Sequence, residues 1–255
     1  MKTTKLLKLL PLTTLLLTGC FDAKIKKEEF LEKLEGVNQA LVLENDKLND
    51  VHAVSRLSIE TYNYKKGEYY AYKYFALILI VPVSYGTYTW KDGDTYKYFD
   101  DKTIDSQDKK GELDEATFNA RMEGHANSVL KLLRNPYSIA KVLAEENAEN
   151  GLIFGMPEYY SVTSYSNKFT KKNSKGTFKI TSTVTYTFDE ATYGTNDSDT
   201  LSETFTIEFN KDNLPVKYET EKKSRKGDKS KDNWTYSYGD STFNDPTASN
   251  TSESA

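Results

Sequence analysis

The pattern of apolar and polar residues predicts an α+β fold. We expect a curved antiparallel sheet of roughly eight to nine strands, an unclosed β-barrel, wrapped around or capped by two to three helices. Apolar residues recur at helical spacing near the start of the chain and again in its middle. Most other segments alternate between apolar and polar residues, which is typical of strands with one buried face. Each helix has an apolar stripe that needs cover, and one curling sheet would supply it.

Three segments have the spacing of amphipathic helices. The first runs from about Glu28 to Leu48. The second is capped by Asp114 and is expected to end at Asn135-Pro136, because proline favours the first turn of a following helix. The third helix is expected to begin at Asn135-Pro136 and to end at Asn150-Gly151, since glycine commonly follows the last helical turn.

The remaining segments predict two groups of strands. Four strands are expected between Val51 and Gly111, and five more from Tyr159 onward. In the first group, Tyr69 to Val81 is interpreted as one long extended run. Asp92-Gly93 lies between two strand-like segments, which is a strong signal for a hairpin turn.

The first twenty residues predict an export signal. Three lysines, Lys2, Lys5 and Lys8, lie at its start, and the apolar segment Leu6 to Leu17 is shorter than the ~20 residues a membrane-spanning helix needs. Cys20 follows and is the only cysteine of the chain. It therefore has no partner for an internal disulfide and is either a free thiol or an acylated one.

The sequence Leu17-Thr18-Gly19-Cys20 resembles the lipobox of bacterial lipoproteins, although that family prefers Ala or Ser where this chain has Thr18. The resemblance implies cleavage between Gly19 and Cys20 and a diacylglyceryl group on the Cys20 sulfur. It also implies a location on the outer face of the bacterial cytoplasmic membrane.

These observations divide the chain into four parts. Residues 1–19 are expected to be a signal peptide, 20–27 a short linker near the membrane, 28–244 a single domain and 245–255 a disordered tail. Removal of the three leader lysines changes the formal net charge from −4 to −7. Such a charge argues against a general nucleic-acid binder.

Three further segments have recognisable patterns: TYTWKDGDTYKYFDD, which ends its hairpin at Phe99-Asp100; NKDNLPVKYET, with Leu214-Pro215-Val216; and WTYSYGDSTFNDP, with Tyr238-Gly239 and Pro246. These segments resemble the LolA/LppX-like superfamily of lipoprotein and lipid carriers. The resemblance extends over most of the chain as an order of elements. It implies an unclosed β-barrel whose concave face holds acyl chains or a lipidated partner, and it brings no catalytic residues.

The most apolar stretch runs from Phe75 to Val83, where every residue is apolar. Its length excludes a membrane span, and we expect it to form the mouth or wall of a hydrophobic cavity. Together with inward-facing residues of other elements, it supplies the candidate residues for lining an acyl-chain site. These are Phe75, Leu77, Ile78, Leu79, Ile80, Phe118, Met122, Val129, Phe178, Ile180, Phe205 and Ile207.

Other polar groups give fewer functional signals. Four cations in a basic turn, Lys222, Lys223, Arg225 and Lys226, are candidates for contact with lipid headgroups, although a solvated turn would have the same composition. His125 lies on the apolar stripe of a predicted helix and is interpreted as a structural histidine. The acidic residues between Asp92 and Asp105 lack the spacing of a calcium loop.

Two functions remain open at the sequence level. The first is an anchored lipoprotein that binds or transfers a lipid or other hydrophobic ligand. The second is a protein-interaction or sensory module at the cell surface with a filled core. The sequence contains no recognisable catalytic constellation, so we expect neither an enzyme nor a metal or organic cofactor.

Overall fold

The computed structural model describes residues 22–55, 60–78, 81–102, 109–196 and 199–247. For Leu77, Ile78, Val81, Pro82 and Lys102, only the backbone is described. The predicted signal peptide, Cys20 and residues 248–255 of the predicted tail lie outside these ranges.

The described residues form three α-helices and twelve strands. The helices are α1 (Lys27–Ala40), α2 (Glu115–Glu145) and α3 (Glu190–Tyr193), with two 3-10 turns at Asp46–Asn49 and Leu152–Phe154. The strands are β1 (Ala23–Lys24), β2 (Asp50–Ser55), β3 (Thr61–Lys65), β4 (Tyr69–Ile78), β5 (Val81–Asp92), β6 (Thr95–Lys102), β7 (Lys109–Leu113), β8 (Tyr160–Lys172), β9 (Thr177–Phe188), β10 (Thr200–Phe209), β11 (Pro215–Ser224) and β12 (Lys229–Tyr238). No described helix combines the length and the apolar character that a membrane crossing requires.

The chain divides into two compact units. The first unit contains the described parts of Met1–Ala40, Tyr137–Pro215 and Glu221–Lys229. The second contains those of Leu41–Pro136, Val216–Thr220 and Ser230–Ala255. Strand β11 and helix α2 each contribute residues to both units.

In the first unit, the order of neighbouring strands is β1, β8, β9, β10 and β11. In the second unit, the order is β11, β12, β2, β3, β4, β5, β6 and β7. The order has two ends, β1 and β7, so the sheet is open. The α+β class is confirmed, and so are the five strands predicted after Tyr159. The predicted total of roughly eight to nine strands is too low.

The core of the first unit lies between α1 and the sheet. Phe30 of α1 is fully buried, with its ring centroid 4.9 Å from that of Phe169 and 5.9 Å from that of Phe178. Strands β9 and β10 pair antiparallel, with Ile180 opposite Ile207. Because side chains alternate between the faces of a strand, this register places the apolar residues of both strands on the side that is buried.

The first predicted helix ends earlier than its pattern suggests. Helix α1 ends at Ala40, and Leu48 is buried from a 3-10 turn instead. The side chain of Asn45 accepts a hydrogen bond from the Lys47 backbone nitrogen. Such a local side-chain bond offers the backbone an alternative to a continuing helix.

The predicted break at Asn135-Pro136 is wrong, because α2 continues through Pro136. Proline inside a helix loses one backbone hydrogen bond and costs about 3 kcal/mol. Burial of Leu133 and Ile139, on either side of the proline, offsets that cost. The helix then ends at Glu145, and Glu146 adopts a positive φ of 59°. The expected end at Asn150-Gly151 is therefore also wrong.

The extended run predicted from Tyr69 to Val81 ends earlier, because β4 ends at Ile78 and Val81 already belongs to β5. Strands β4 and β5 pair antiparallel, with Ile78 opposite Val81, so only Leu79 and Ile80 connect them. Strand β7 adds a further pair at Tyr96 and Leu113. The second unit therefore contains more strands before α2 than the predicted four.

We predict that Phe30→Ala lowers the free energy of unfolding by about 3–5 kcal/mol, because it removes a fully buried ring that contacts two others. Urea titration followed by circular dichroism measures this change. Phe75→Ala is the matched control, since Phe75 is 37% exposed. Equal losses in the two variants would contradict the placement of Phe30 in the core.

Candidate ligand-binding cavity

The second unit contains a cavity of about 340 Å³. This volume lies at the lower end of the roughly 300–1,000 Å³ that small-molecule sites occupy. It is bordered by α2, the 3-10 turn at Asp46–Asn49, strand β3 and the turn that follows β3. The lining residues are Leu43, Leu48, Asn49, Tyr64, Lys66, Gly67, Asn119, Met122, Glu123, Ala126, Val129, Leu130 and Leu133.

The cavity has an apolar interior and a polar rim. Its buried lining residues are apolar or aromatic: Leu48, Tyr64, Met122, Val129, Leu130 and Leu133. Its exposed lining residues are Lys66, Gly67, Asn119 and Glu123. Burial raises the pKa of Tyr64, so its phenol stays neutral within the apolar part. A ligand with an apolar body and a polar end matches this division.

The spacing of residues along α2 produces one wall. Asn119, Met122, Ala126, Val129 and Leu133 follow one another at intervals of three or four residues, so they share one face of the helix. The stripe begins with a polar residue and becomes apolar further along. One helical face therefore supplies both part of the rim and the interior wall.

The opposite wall depends on the turn between β3 and β4. Gly67 has a φ of +71°, a left-handed conformation that favours glycine. The Lys66 backbone nitrogen donates a 2.8 Å hydrogen bond to the carbonyl oxygen of Asn49. This bond ties the turn to the 3-10 segment, so residues distant in sequence meet at the cavity.

Arg121 fixes α2 against the sheet of the second unit. Its guanidinium donates to the Asp100 carboxylate at 3.1 Å and to the Thr89 hydroxyl at 3.3 Å. It also lies 5.0 Å from the ring centroid of Tyr98. An arginine with an ion pair, a hydrogen bond and a ring contact is held in one orientation, and it fixes the rotation of the helix.

His125 lies one turn further along the same helix. Its Nε2 is 3.1 Å from the Thr89 hydroxyl, and its ring stacks on Tyr70 with centroids 3.8 Å apart. Burial, with a smaller effect of the Arg121 charge, lowers the pKa of His125 to about 4. The imidazole is neutral at pH 7 and acts in packing and hydrogen bonding.

The structure places the sequence-predicted lining residues in several different surroundings. Met122 and Val129 border the cavity. Phe118 is buried on α2 and stacks on Tyr96, with centroids 4.6 Å apart. Phe75 is 37% exposed, the side chains of Leu77 and Ile78 are not described, and Leu79 and Ile80 lie outside the described residues.

The other four predicted lining residues belong to the core of the first unit. Phe178, Ile180, Phe205 and Ile207 are buried there. Phe178 stacks on Phe209 with ring centroids 5.1 Å apart, and Phe205 lies 5.1 Å from Phe154. These contacts are with the unit's own side chains.

Sequence reasoning missed most of the cavity. The helical spacing predicts Leu43 and Leu48 within the first helix, and no local signal in the sequence brings either of them next to Tyr64. Ala126 and Leu133 were detectable, since they lie on the same α2 stripe as Met122 and Val129.

The candidate headgroup cations differ in their surroundings. Arg225 forms an ion pair with Glu190 and packs 5.9 Å from the Phe188 ring centroid. Lys222 is partly buried, with its Nζ 3.7 Å from the Met156 sulfur. Lys223 and Lys226 are exposed. Arg225 is thus already engaged within the protein.

Two of the acidic residues near the β5–β6 hairpin form ion pairs with cations of the protein. Asp92 pairs with Lys97 and Asp100 with Arg121, while Asp105 lies outside the described residues. Within the described ranges, no group of three or more His, Cys, Asp or Glu side chains is arranged to hold a metal ion.

Comparison with known proteins gives no relative from which to transfer a function: no family model, curated protein or solved structure matches this chain.

We predict that stability falls between pH 7 and pH 5 because of His125. Its pKa of about 4 in the folded state lies below the ordinary 6.5, so the unfolded state binds the proton first as pH falls. The contribution is complete above pH 6.5 and is lost as the pH approaches 4, with a loss of about 2 kcal/mol between pH 7 and pH 5.

Urea unfolding at both pH values measures the loss, and His125→Gln is the matched control because glutamine does not titrate. An identical pH dependence in both proteins would contradict the assignment to His125.

Proposed function

We propose that the second unit binds a single-chain amphiphile, with the acyl chain in the cavity and the polar end at the rim. The observation that carries the proposal is the division of one cavity into an apolar interior and a polar rim. The proposed activity is binding or transfer, without catalysis. The resemblance of three segments to LolA/LppX-like carriers supports the same class of ligand.

The volume limits the size of the ligand. Since a water-sized group occupies about 30 Å³, a cavity of about 340 Å³ accommodates about eleven such groups. That suits one acyl chain of medium length. A phospholipid with two long chains exceeds it, and so does the full modification of a lipidated protein.

The rim suits a polar but not strongly charged end. Lys66 and Glu123 supply one charge of each sign, and Asn49 and Asn119 supply neutral hydrogen-bonding groups. Lys66 is placed to pair with a carboxylate and Glu123 to receive a hydroxyl or ammonium group. The carboxylate of a fatty acid meets the first requirement, and the free hydroxyl groups of a monoacyl ester meet the second.

We further propose that the protein is exported and is held by a diacylglyceryl group on Cys20 to the outer face of the bacterial cytoplasmic membrane. The support is the predicted export signal and the single cysteine at its end. An anchored binding protein would meet single-chain amphiphiles at the membrane where they are released.

The second candidate is a surface protein-interaction module. A row of aromatic side chains on strands β12, β3, β4 and β5 favours it: Trp234, Tyr62, Tyr72, Tyr74 and Tyr85. Neighbouring rings in this row have centroids 4.5–5.9 Å apart, and Tyr85 is exposed. Exposed aromatic rings are common in protein interfaces.

We predict that Ala126→Phe abolishes binding of dodecanoate, because the added ring fills the cavity at a residue that lines it. Native mass spectrometry of the folded protein with and without dodecanoate measures the bound ligand. Ala120→Phe is the matched control on the same helix, since Ala120 is exposed and does not line the cavity. Dodecanoate bound equally by both variants would place the ligand elsewhere, and its absence from the parent protein would contradict the proposal.

We predict that Cys20→Ser prevents lipid attachment when the chain is expressed in a bacterium. The thioether requires the Cys20 sulfur, so the parent chain should incorporate labelled palmitate and sediment with membranes, whereas the variant should not. Mass spectrometry of the N-terminal peptide identifies the modification. A parent peptide that retains residues 1–19 or an unmodified thiol would contradict the anchor.

A further inference from the structure

We propose that the lysine-rich end of the β8–β9 hairpin is a docking surface for an anionic lipid bilayer. The lysine cluster consists of seven residues: Lys24, Lys168, Lys171, Lys172, Lys175, Lys179 and Lys211. All belong to the first unit, far from the four cations that the sequence singled out. The orientation of this surface toward the membrane rests on the proposed anchor at Cys20, whereas its affinity for anionic lipid does not.

The hairpin concentrates positive charge. Residues 168–179 contain five lysines and no acidic residue. The register places Lys172 opposite Thr177 and Thr170 opposite Lys179, so these lysines lie around one turn. Lys211 joins them from the neighbouring turn, where its Cβ lies 2.8 Å from the position of a Cβ built on Gly176.

Strand β1 adds to the cluster and fixes its face. Lys24 is paired with Thr170, so Lys24, Lys168, Lys172 and Lys179 share one side of the sheet. Asp22 lies among them. A hydrogen bond from Lys179 and the charges of Lys179, Lys172 and Lys168 lower the pKa of Asp22. That shift is independent of the register and indicates a positive potential on this face.

Three carboxylates lie beside the seven lysines: Asp22 and Glu29 form ion pairs, and Glu208 of β10 lies opposite Lys179 in the sheet register. Asp22 pairs with Lys179, and Glu29 pairs with Lys171 at 2.8 Å. The side chains of Lys168, Lys175 and Lys211 are exposed. Lysines on a hairpin end that projects into solvent are well placed to approach phosphate groups, each contributing about a fivefold gain in binding near an anionic surface.

The path of the chain brings the proposed anchor to the same place. The Asp22 ion pair and the Ala23–Lys171 pairing tie the start of the described chain to the hairpin end. Cys20 is two residues before Asp22, a distance of at most ~7 Å along an extended chain. An acyl group on Cys20 would therefore enter the bilayer beside the lysine cluster.

The basic turn at Lys222–Lys226 lies at the other end of the first unit. Arg225 packs on Phe188, the last residue of β9, whereas Lys179 lies near the beginning of that strand. Nine residues of strand separate them, or roughly 30 Å at 3.3 Å per residue. A bilayer that holds the anchor and contacts the lysine cluster thus lies beyond the reach of that turn.

Flotation with vesicles tests the docking surface without the anchor. The protein is residues 20–255 with Cys20→Ser, which retains every residue that the structure describes. We expect binding to vesicles of phosphatidylglycerol and phosphatidylcholine in equal parts, and none to phosphatidylcholine alone. The triple variant Lys168→Gln, Lys172→Gln, Lys175→Gln should bind roughly 100-fold more weakly, and added salt should weaken the parent in the same way.

Lys222→Gln, Lys223→Gln, Lys226→Gln is the matched control, because it removes the same charge from the opposite end of the unit. We expect its binding to stay within a few-fold of the parent. The triple Lys168→Arg, Lys172→Arg, Lys175→Arg should restore binding, and thermal melts check that each variant is folded. Equal losses in the two glutamine triples, or binding of the parent to neutral vesicles alone, would overturn the proposal. Since Cys20 is absent throughout, the result does not depend on whether the anchor exists.

Discussion

The apolar face of each strand must be buried by packing against other elements. Where that packing is incomplete, a cavity remains. In the first unit, Phe30 of α1 reaches the rings of Phe169 and Phe178, and the sheet's own aromatic residues fill the remainder. In the second unit, the His125 side chain of α2 covers Tyr70. The following turns of α2 face the 3-10 turn at Asp46–Asn49 and the turn at Gly67, and a cavity remains there. The difference in covering elements explains why four predicted pocket residues are core residues while Met122 and Val129 border a cavity.

A polar contact inside this apolar interface keeps the cavity in place. Thr89 is fully buried and interacts with both Arg121 and His125, two residues on adjacent turns of α2. Buried polar groups without hydrogen-bond partners destabilise the fold. The rotation of α2 in which Thr89, Arg121 and His125 all have hydrogen-bond partners is therefore favoured. That rotation directs the stripe from Asn119 to Leu133 toward the cavity. Packing alone would tolerate small rotations of a largely aliphatic helix face, and the rim and wall would then shift together.

Sequence patterns predicted the elements whose local signal agrees with their tertiary surroundings. The alternation in β9 and β10 identified Ile180 and Ile207 as inward-facing, since a period of two leaves one interpretation. Pro136 was misread because local chemistry favours a break, whereas burial of Leu133 and Ile139 on either side outweighs it. Leu48 fitted the helical period by coincidence. The cavity itself was beyond prediction, because Tyr64, Lys66 and Met122 meet only after the hairpin β3–β4 and the helix have packed.

The net charge of the chain likewise says little about how charges are distributed over the surface of the folded protein. A net charge of −4 argues against general nucleic-acid binding, yet it conceals a hairpin end with five lysines in twelve residues. In the sequence, those lysines are spread over two strand patterns that read as ordinary polar faces. The basic turn that contains Lys222, Lys223, Arg225 and Lys226 is a denser run of cations and gives the stronger signal in the sequence. Two cations of each segment form ion pairs within the protein, Arg225 and Lys229 in one and Lys171 and Lys179 in the other. Folding then favours the hairpin, because β1 adds Lys24 and the neighbouring turn adds Lys211 to its lysines. Since electrostatic attraction to a surface depends on the charges that remain exposed on one side, the less conspicuous segment is the stronger candidate for contact with a membrane.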